Sequence, residues 1–193
     1  MIAEPEQPDD NRLVFLSEPL EEDLRISGTP EVNLTASSSL DEGYFGAILV
    51  DYGPKTRISR QSEGVISDPS GEFDCWGESS ATDDGCYRQT AKRVRTADLE
   101  IVTKGIHDAA NRQSLRVAEP LVPGQAYNYD FPLLPEDYVF PAGHRIGVIL
   151  VGSYPQYSSQ PDPNGARITY QLRSSRLQLP IVGGTAAAHA AGL

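Results

Sequence analysis

The chain has 193 residues, of which 39% are hydrophobic and 22% charged, a composition typical of one globular domain rather than of a disordered chain. Its formal net charge of −11 disfavours nucleic acid and anionic membrane surfaces as partners, because both bind clustered Lys and Arg. The longest apolar run is far shorter than the roughly 18 residues of a membrane-spanning helix, which leaves neutral or cationic ligands, or another protein domain, as expected partners.

The chain divides into three predicted segments. Residues 1–11 are acidic and contain prolines but no apolar stretch, so we expect a disordered leader that is not a signal peptide. Residues 12–184 alternate between apolar and polar positions, which predicts one β-sandwich domain. Residues 185–193 are rich in alanine without an apolar period, and we expect a flexible tail.

Most of the predicted strands have one apolar face and one polar face. In residues 31–37 (EVNLTAS), every second residue is apolar, as in a strand with one buried face. The same alternation recurs in three later segments, with these apolar positions: Tyr127, Tyr129, Phe131 and Leu133; Ile168, Tyr170 and Leu172; Leu177, Leu179 and Ile181. Residues 44–52 and 146–151 are apolar on both faces, which predicts central strands covered on the outside by a loop or a neighbouring domain.

Turn residues separate these segments throughout the chain. The sequence contains 17 glycines and 15 prolines, most of them between the apolar runs. Frequent turns between short strands predict an all-β fold, a jelly-roll β-sandwich of about ten short strands. The one candidate helix, around residues 104–112, is too short to organise a fold.

Two cysteines, Cys75 and Cys86, flank a segment rich in Gly, Ser and Asp that predicts a loop. A disulfide between them would close that loop and would indicate an oxidising compartment, so that the chain would be secreted or extracellular. Two unpaired thiols in a cytosolic protein are the alternative. A zinc site is not expected, because no further Cys or His stands at ligand spacing.

The search for a catalytic nucleophile fails. Residues 77–81 (GESSA) resemble a nucleophile elbow only loosely and lie in a loop, without the preceding strand and following helix that the motif requires. Among the histidines, His189 lies in the tail and His144 follows a turn, where we expect it to bond the backbone. His107 stands beside Asp108, but sequence neighbours usually diverge in space, so no dyad is predicted. We therefore predict no catalytic residues.

Two kinds of ligand site remain open. Acidic pairs in predicted turns could hold a structural calcium ion, although no twelve-residue calcium loop is present. Tyr154 and Tyr157 lie in a predicted loop and form a candidate ligand surface, since sugars stack on aromatic rings. Trp76, next to Cys75, is expected to pack over a disulfide.

Four stretches, taken in order, resemble a known family. They are RLVFLSEPLEEDLRISGTPEVNLTAS, GAILVDYGP, SLRVAEPLVPGQAYNYDFPLLPEDYVFPAGHRIGVIL and LQLPIVGG, and together they run from residue 12 to residue 184. Their order and spacing resemble the C-terminal domain of bacterial X-Pro dipeptidyl-peptidases, which is shared with the cocaine-esterase and acyl-amino-ester hydrolases. The CWG…CY loop resembles the secreted actinobacterial branch of these peptidases.

The resemblance implies a galactose-binding-like jelly roll that follows an α/β-hydrolase domain. It places the catalytic triad in that upstream domain, so none of its residues falls on a position of this chain. The chain is then expected to be non-catalytic, to pack on the hydrolase domain and to shape a cleft through which that domain meets its peptide substrate. The parent would be a serine peptidase that removes Xaa-Pro dipeptides. The alternative is a carbohydrate-binding module with Tyr154 and Tyr157 exposed side by side.

Overall fold

The computed structural model describes residues 12–58, 65–67, 71–92, 94–152 and 165–193. The predicted disordered leader and the candidate ligand surface of Tyr154 and Tyr157 lie outside these residues. The strands are β1 Arg12–Leu16, β2 Leu24–Gly28, β3 Glu31–Ser38, β4 Tyr44–Ile58, β5 Val65–Ser67, β6 Phe73–Cys75, β7 Cys86–Arg88, β8 Thr90–Lys92, β9 Val94–Asp108, β10 Tyr127–Pro132, β11 Glu136–Phe140, β12 Arg145–Val151, β13 Ile168–Tyr170 and β14 Arg176–Gln178. The one α-helix of the described chain, α1, spans Gly184–Ala190, and two short 3₁₀ turns span Ala109–Asn111 and Leu172–Ser174.

The chain forms two compact units. Unit 1 comprises Met1–Gly53 and Leu99–Leu193, and unit 2 comprises Pro54–Asp98. Strands β4 and β9 each contribute one part to unit 1 and the other part to unit 2. The described residues thus contain fourteen strands rather than about ten, and two of them are fifteen residues long.

Unit 1 is an all-β sandwich. One sheet has the order β1-β12-β4-β9, a second has the order β10-β3-β13 with β14 also pairing with β3, and β11 pairs with β2. Every strand pair in unit 1 whose register is defined is antiparallel. An isolated bridge between Ile26 and Ile181 ties the last extended segment to β2.

The core of unit 1 is formed by the alternating positions that the sequence predicts. On β3, Val32, Leu34 and Ala36 are buried, while the residues between them are half-buried. In the same core, the ring of Phe45 from β4 packs on the ring of Tyr129 from β10, with the ring centroids 4.3 Å apart. One continuous apolar cluster includes these residues together with side chains from β2, β9, β11 and β12, so a single core holds the three sheets of unit 1 together.

The central strands β4 and β12 are buried on both faces, as predicted. Phe45, Ala47 and Leu49 of β4 point into the main core. Ile48 and Val50 point to the other face and form a second buried cluster with Ile149 of β12. These three side chains are already removed from solvent within this chain, so a neighbouring domain is not required to cover them.

Two segments differ from the sequence prediction. The candidate helix around residues 104–112 is instead the end of β9 followed by the 3₁₀ turn Ala109–Asn111, in which the Asp108 carboxylate accepts a hydrogen bond from the Ala110 amide. A Cβ on Gly105 would lie 2.6 Å from the Pro132 carbonyl oxygen, so the extended backbone of β9 runs directly against β10 there. Leu172 is exposed, because the chain leaves β13 and turns before reaching it.

The alanine-rich tail has a regular structure rather than a frayed one. Residues Gly184–Ala190 form α1, and Ala191 beyond it is buried in the main core. The carbonyl of Ala191 accepts a hydrogen bond from the Glu21 amide at 3.1 Å, which fixes the end of the helix to unit 1. Alanine has the highest helix propensity of all residues, and this outweighs the missing apolar period.

Unit 2 is built from paired strands with little interior of its own. Strand β5 pairs with β8, and β6 pairs with β7, both antiparallel. The hydroxyls of Thr56 and Thr96, from the unit 2 parts of β4 and β9, lie 2.9 Å apart. None of the buried hydrophobic side chains of the described chain belongs to unit 2.

We predict that Phe45→Ala lowers the free energy of unfolding of unit 1 by about 3–5 kcal/mol, because it leaves a cavity against the Tyr129 ring. Leu115→Ala is the matched control: Leu115 is 88% exposed, and its loss is expected to change stability by less than about 0.5 kcal/mol. Urea unfolding monitored by circular dichroism measures both changes. Equal effects of the two variants would contradict the assigned core.

Candidate functional site

Ser80 of the loosely elbow-like segment has a structural role. Residues 77–81 lie between β6 and β7, with no helix after them. The Ser80 hydroxyl accepts hydrogen bonds from the amides of Thr82 and Asp83, which close a tight turn. Within the described ranges, no serine hydroxyl lies within hydrogen-bond distance of a histidine ring.

A buried carboxylate forms the centre of a polar network in unit 1. Asp51 lies on the core-facing side of β4 and is fully buried. Its Oδ2 accepts a hydrogen bond from the Tyr138 hydroxyl at 2.7 Å, and its Oδ1 lies 2.7 Å from Nδ1 of His144. The His144 ring packs so closely over Gly53 that a Cβ there would lie 2.4 Å from it. Glycine at position 53 therefore makes room for the network.

The backbone of His144 closes the turn that the sequence predicts, but its side chain does not bond the backbone. The amide donates to the Pro141 carbonyl at 3.1 Å, whereas the ring bonds the Asp51 carboxylate. An aspartate–histidine pair is also found in catalytic triads, where the histidine activates a serine. Here the remaining carboxylate oxygen binds Tyr138, and the network joins β4 and β11 to the turn that precedes β12. The arrangement provides hydrogen-bond partners for both oxygens of a buried carboxyl group.

We predict that Asp51→Ala lowers the free energy of unfolding by about 2–4 kcal/mol, since it removes the carboxylate to which the Tyr138 hydroxyl and the His144 ring are bonded. Glu22→Ala, at an exposed turn position, is the control and should change stability by less than about 0.5 kcal/mol. Chemical denaturation gives both values. A loss for Asp51→Ala as small as that of the control would rule out the proposed structural role.

The second buried polar group lies around His107, at the end of β9. Its ring stacks on Phe131 at 5.6 Å with an interplanar angle of 7° and meets the edge of Tyr129. The Asp108 carboxylate accepts a hydrogen bond from the Ala110 amide. Neither His107 Nε2 nor the Tyr129 hydroxyl has a hydrogen-bond partner in the described part of the chain. Burial raises the pKa of Tyr129 to about 12, against a smaller lowering by Arg112.

Burial also lowers the pKa of His107, and the carboxylates of Asp108 and Asp130 oppose this effect only in part. The pKa of histidine in the unfolded chain is about 6.5, and the pKa of His107 in the folded chain is lower. The unfolded chain therefore binds more protons just below this pH, and stability falls as the pH drops from about 6.5 toward the folded pKa.

We predict that His107→Phe, which retains the stacking on Phe131, removes this part of the pH dependence. His189→Gln is the control, because that side chain is exposed on α1. Denaturation between pH 5 and 8, expressed as the difference between each variant and the unsubstituted chain, measures the effect. A pH profile that His107→Phe leaves unchanged would contradict a depressed histidine pKa.

The two cysteines form the disulfide Cys75–Cys86, which decides between the two interpretations that the sequence left open. The residues stand opposite each other on β6 and β7 and close the loop between these strands. Inside the loop, Asp83 accepts hydrogen bonds from the Gly85 amide and the Tyr87 hydroxyl, and these contacts, in that order, lower its pKa. The loop thus has a defined shape although most of it is exposed.

The β6–β7 hairpin has two different faces. Asp74, Trp76, Tyr87 and Gln89 share one face, which we call the Trp76 face. Its two rings lie 5.2 Å apart at an angle of 47°, and Asp74 accepts a hydrogen bond from Gln89 at 2.9 Å. The opposite face holds the disulfide, with the guanidinium of Arg88 over the ring of Phe73.

The sequence predicted that the Trp76 ring packs over the disulfide, and this prediction is wrong. The ring lies beside Tyr87 on the other face of the hairpin and is 70% exposed. Alternation along β6 explains the difference, because Trp76 follows Cys75 directly and points to the opposite side. An exposed aromatic pair of this kind is a candidate ligand surface.

The acidic turns hold no arrangement that suggests a metal ion. Among the described residues, no group of three or more His, Cys, Asp and Glu side chains is placed to bind one. Several of these acids bond protein groups: Asp137 forms a bidentate pair with Arg25, and Asp23 accepts from the Ala142 amide. No helix in the described part of the chain is long and apolar enough to cross a membrane.

Comparison with known proteins defines the class of this sandwich. Residues 3–190 match the family model of the X-Pro dipeptidyl-peptidase C-terminal non-catalytic domain. A putative Xaa-Pro dipeptidyl-peptidase of Streptomyces avermitilis is 32% identical over 173 residues, which are 90% of this chain and 25% of that protein. One from Bacillus cereus is 31% identical over 94% of this chain and 24% of its own length. The chain spans about a quarter of the length of these relatives.

Solved structures agree on the fold. An α-amino acid ester hydrolase superposes with a TM-score of 0.58 at 24% identity, covering 89% of this chain and 26% of its own. An aminopeptidase from a marine sediment archaeon gives a TM-score of 0.56 at 22% identity. The chain is a non-catalytic accessory domain of the all-β class. It belongs to the X-Pro dipeptidyl-peptidase C-terminal domain family, which confirms the resemblance drawn from the sequence.

Proposed function

We propose that this domain completes an Xaa-Pro dipeptidyl-peptidase by packing on an upstream α/β-hydrolase domain and forming part of its substrate cleft. The observation that carries the proposal is the family match over residues 3–190 to a domain described as non-catalytic, which occupies about a quarter of each relative. The local geometry supports it, because the buried Asp51–His144 pair is joined to Tyr138, and no serine hydroxyl in the described part of the chain is bonded to this histidine ring.

The edge strand β1 is the surface that we assign to the hydrolase domain. Leu13 and Phe15 share one face of β1 and remain 43% and 38% exposed, next to the half-buried Val148 on β12. Strand β1 is the outermost strand in the order β1-β12-β4-β9. An apolar row on an edge strand is a surface that a neighbouring domain commonly covers.

Two finer properties belong to the same proposal. The sandwich is a galactose-binding-like jelly roll, for which the superposition on hydrolase structures gives support at the level of the fold. The parent protein is secreted, for which the disulfide gives support, because such bonds persist in oxidising compartments.

A carbohydrate-binding module is the second candidate. Tyr154 and Tyr157, on which the sequence argument for it depends, lie outside the described residues. The exposed ring pair of Trp76 and Tyr87 is the observation that favours it, because sugar rings stack on such platforms.

We predict that the isolated chain does not turn over a chromogenic Xaa-Pro substrate and that adding it to the separately produced hydrolase part of the same protein raises turnover. The double variant Leu13→Ser, Phe15→Ser should weaken this rescue about tenfold, because each serine removes apolar area from the interface. Leu115→Ser, in a loop, is the control and should rescue like the unsubstituted chain. Steady-state rates against domain concentration give the apparent affinity, and unfolding curves confirm that both variants fold.

Turnover by the chain alone that a serine-directed inhibitor abolishes would contradict the proposal, and so would a hydrolase part that neither binds the chain nor gains activity from it. Equal rescue by the β1 variant and the control would place the interface elsewhere on the domain.

A further inference from the structure

We infer that the Trp76 face binds the amino-terminal end of a proline-containing peptide, with the α-ammonium group near the carboxylates and the proline ring on the indole. This inference rests on the proposed function, because it assigns part of this domain to the class of substrate that its relatives' names indicate. It concerns a surface of unit 2, whereas β1 belongs to unit 1.

The first reason is that the two rings pack against each other, that a hydrogen bond holds Tyr87, and that both rings remain exposed to solvent. Trp76 is 70% exposed, although its amide is bonded to the Gly85 carbonyl and its neighbour Cys75 is cross-linked. Tyr87 is held by its hydroxyl on Asp83. An aromatic surface that is already ordered loses little conformational entropy when it binds a ligand. A ligand-binding surface must also be exposed, and these two rings are.

The second reason is the charge around the pair. Residues 72–86 contain five carboxylates and no Lys, Arg or His. Two of these carboxylates flank the rings: Asp74 stands directly opposite Tyr87 in the strand register, and Asp83 bonds the Tyr87 hydroxyl. The basic Arg88 points to the other face, over Phe73. The Trp76 face therefore attracts a cation.

Together the two features select one kind of ligand. A free peptide amino terminus supplies an ammonium group that fits the carboxylates and that also interacts favourably with an aromatic face. A proline ring is rigid and apolar and stacks on aromatic side chains, as in the recognition of proline-rich segments by aromatic grooves. A neutral sugar could use the rings, but it would gain nothing from the excess of negative charge.

The test uses the fact that Trp76 is the sole tryptophan of the chain, so fluorescence excited at a wavelength that tyrosine does not absorb reports this face alone. The 193-residue chain is titrated with Ala-Pro-Ala-Ala amide, with its N-acetylated form and with Ala-Ala-Ala-Ala amide. We expect a saturable blue shift and reduced acrylamide quenching with the first peptide. Acetylation should weaken binding about two- to fivefold, and loss of proline about two- to tenfold.

Asp74→Asn keeps an acceptor for Gln89 and removes only the charge. It should weaken binding of the free-amine peptide about two- to fivefold and leave the acetylated peptide unaffected. Arg88→Gln, on the opposite face, is the matched control and should not weaken binding. Unfolding curves of both variants show whether the hairpin remains intact.

Three outcomes would overturn the inference: no saturable response to any of the peptides, equal binding of the free and acetylated forms, or tighter binding of neutral oligosaccharides than of the proline peptide. A Trp76 response only to the added hydrolase part would also overturn it and would assign the face to that domain. Rescue of turnover without peptide binding contradicts this inference alone, whereas peptide binding without rescue contradicts the proposed function alone.

Discussion

The contact between Phe45 and Tyr129 determines how the sandwich of unit 1 is assembled. It joins the central strand of the four-stranded sheet to the sheet built on β3. Since side chains alternate along a strand, placing Phe45 in the core also places Ala47, Leu49 and Asp51 there. A slip of one residue would move this row to the other face of the sheet and turn Gly46, Ile48 and Val50 toward the main core, so the aromatic contact helps to define the register of β4.

This register has a chemical consequence for the end of β4. It buries the Asp51 carboxylate, and a buried charge is stable only when it is hydrogen-bonded. Tyr138 and His144 provide these bonds from β11 and from the turn before β12, and Gly53 leaves space for the histidine ring. A pair of residues that resembles half of a catalytic triad is thereby explained by packing. The candidate binding surfaces lie on the edge strand β1 of unit 1 and on the disulfide hairpin of unit 2.

The core of the fold could be predicted from the sequence because it depends on local alternation. Val32, Leu34 and Ala36 are buried as expected, and so are Tyr129 and Phe131. The network of Asp51, Tyr138 and His144 could not be predicted from the sequence. Tyr138 and His144 lie 87 and 93 residues after Asp51 in the chain. The tail helix was missed because alanine gives no apolar period, and the pairing of Trp76 with Tyr87 depends on a hairpin register that a loop composition does not reveal.

The proposed function requires that this domain has no catalytic nucleophile of its own and that it completes a hydrolase domain. The most direct test is to treat the isolated, folded chain with a fluorophosphonate, which reacts with activated serines, and to determine its intact mass. The account predicts an unchanged mass, because no described serine hydroxyl is bonded to a histidine ring. A stoichiometric adduct that maps to a single serine and is lost on unfolding would contradict it.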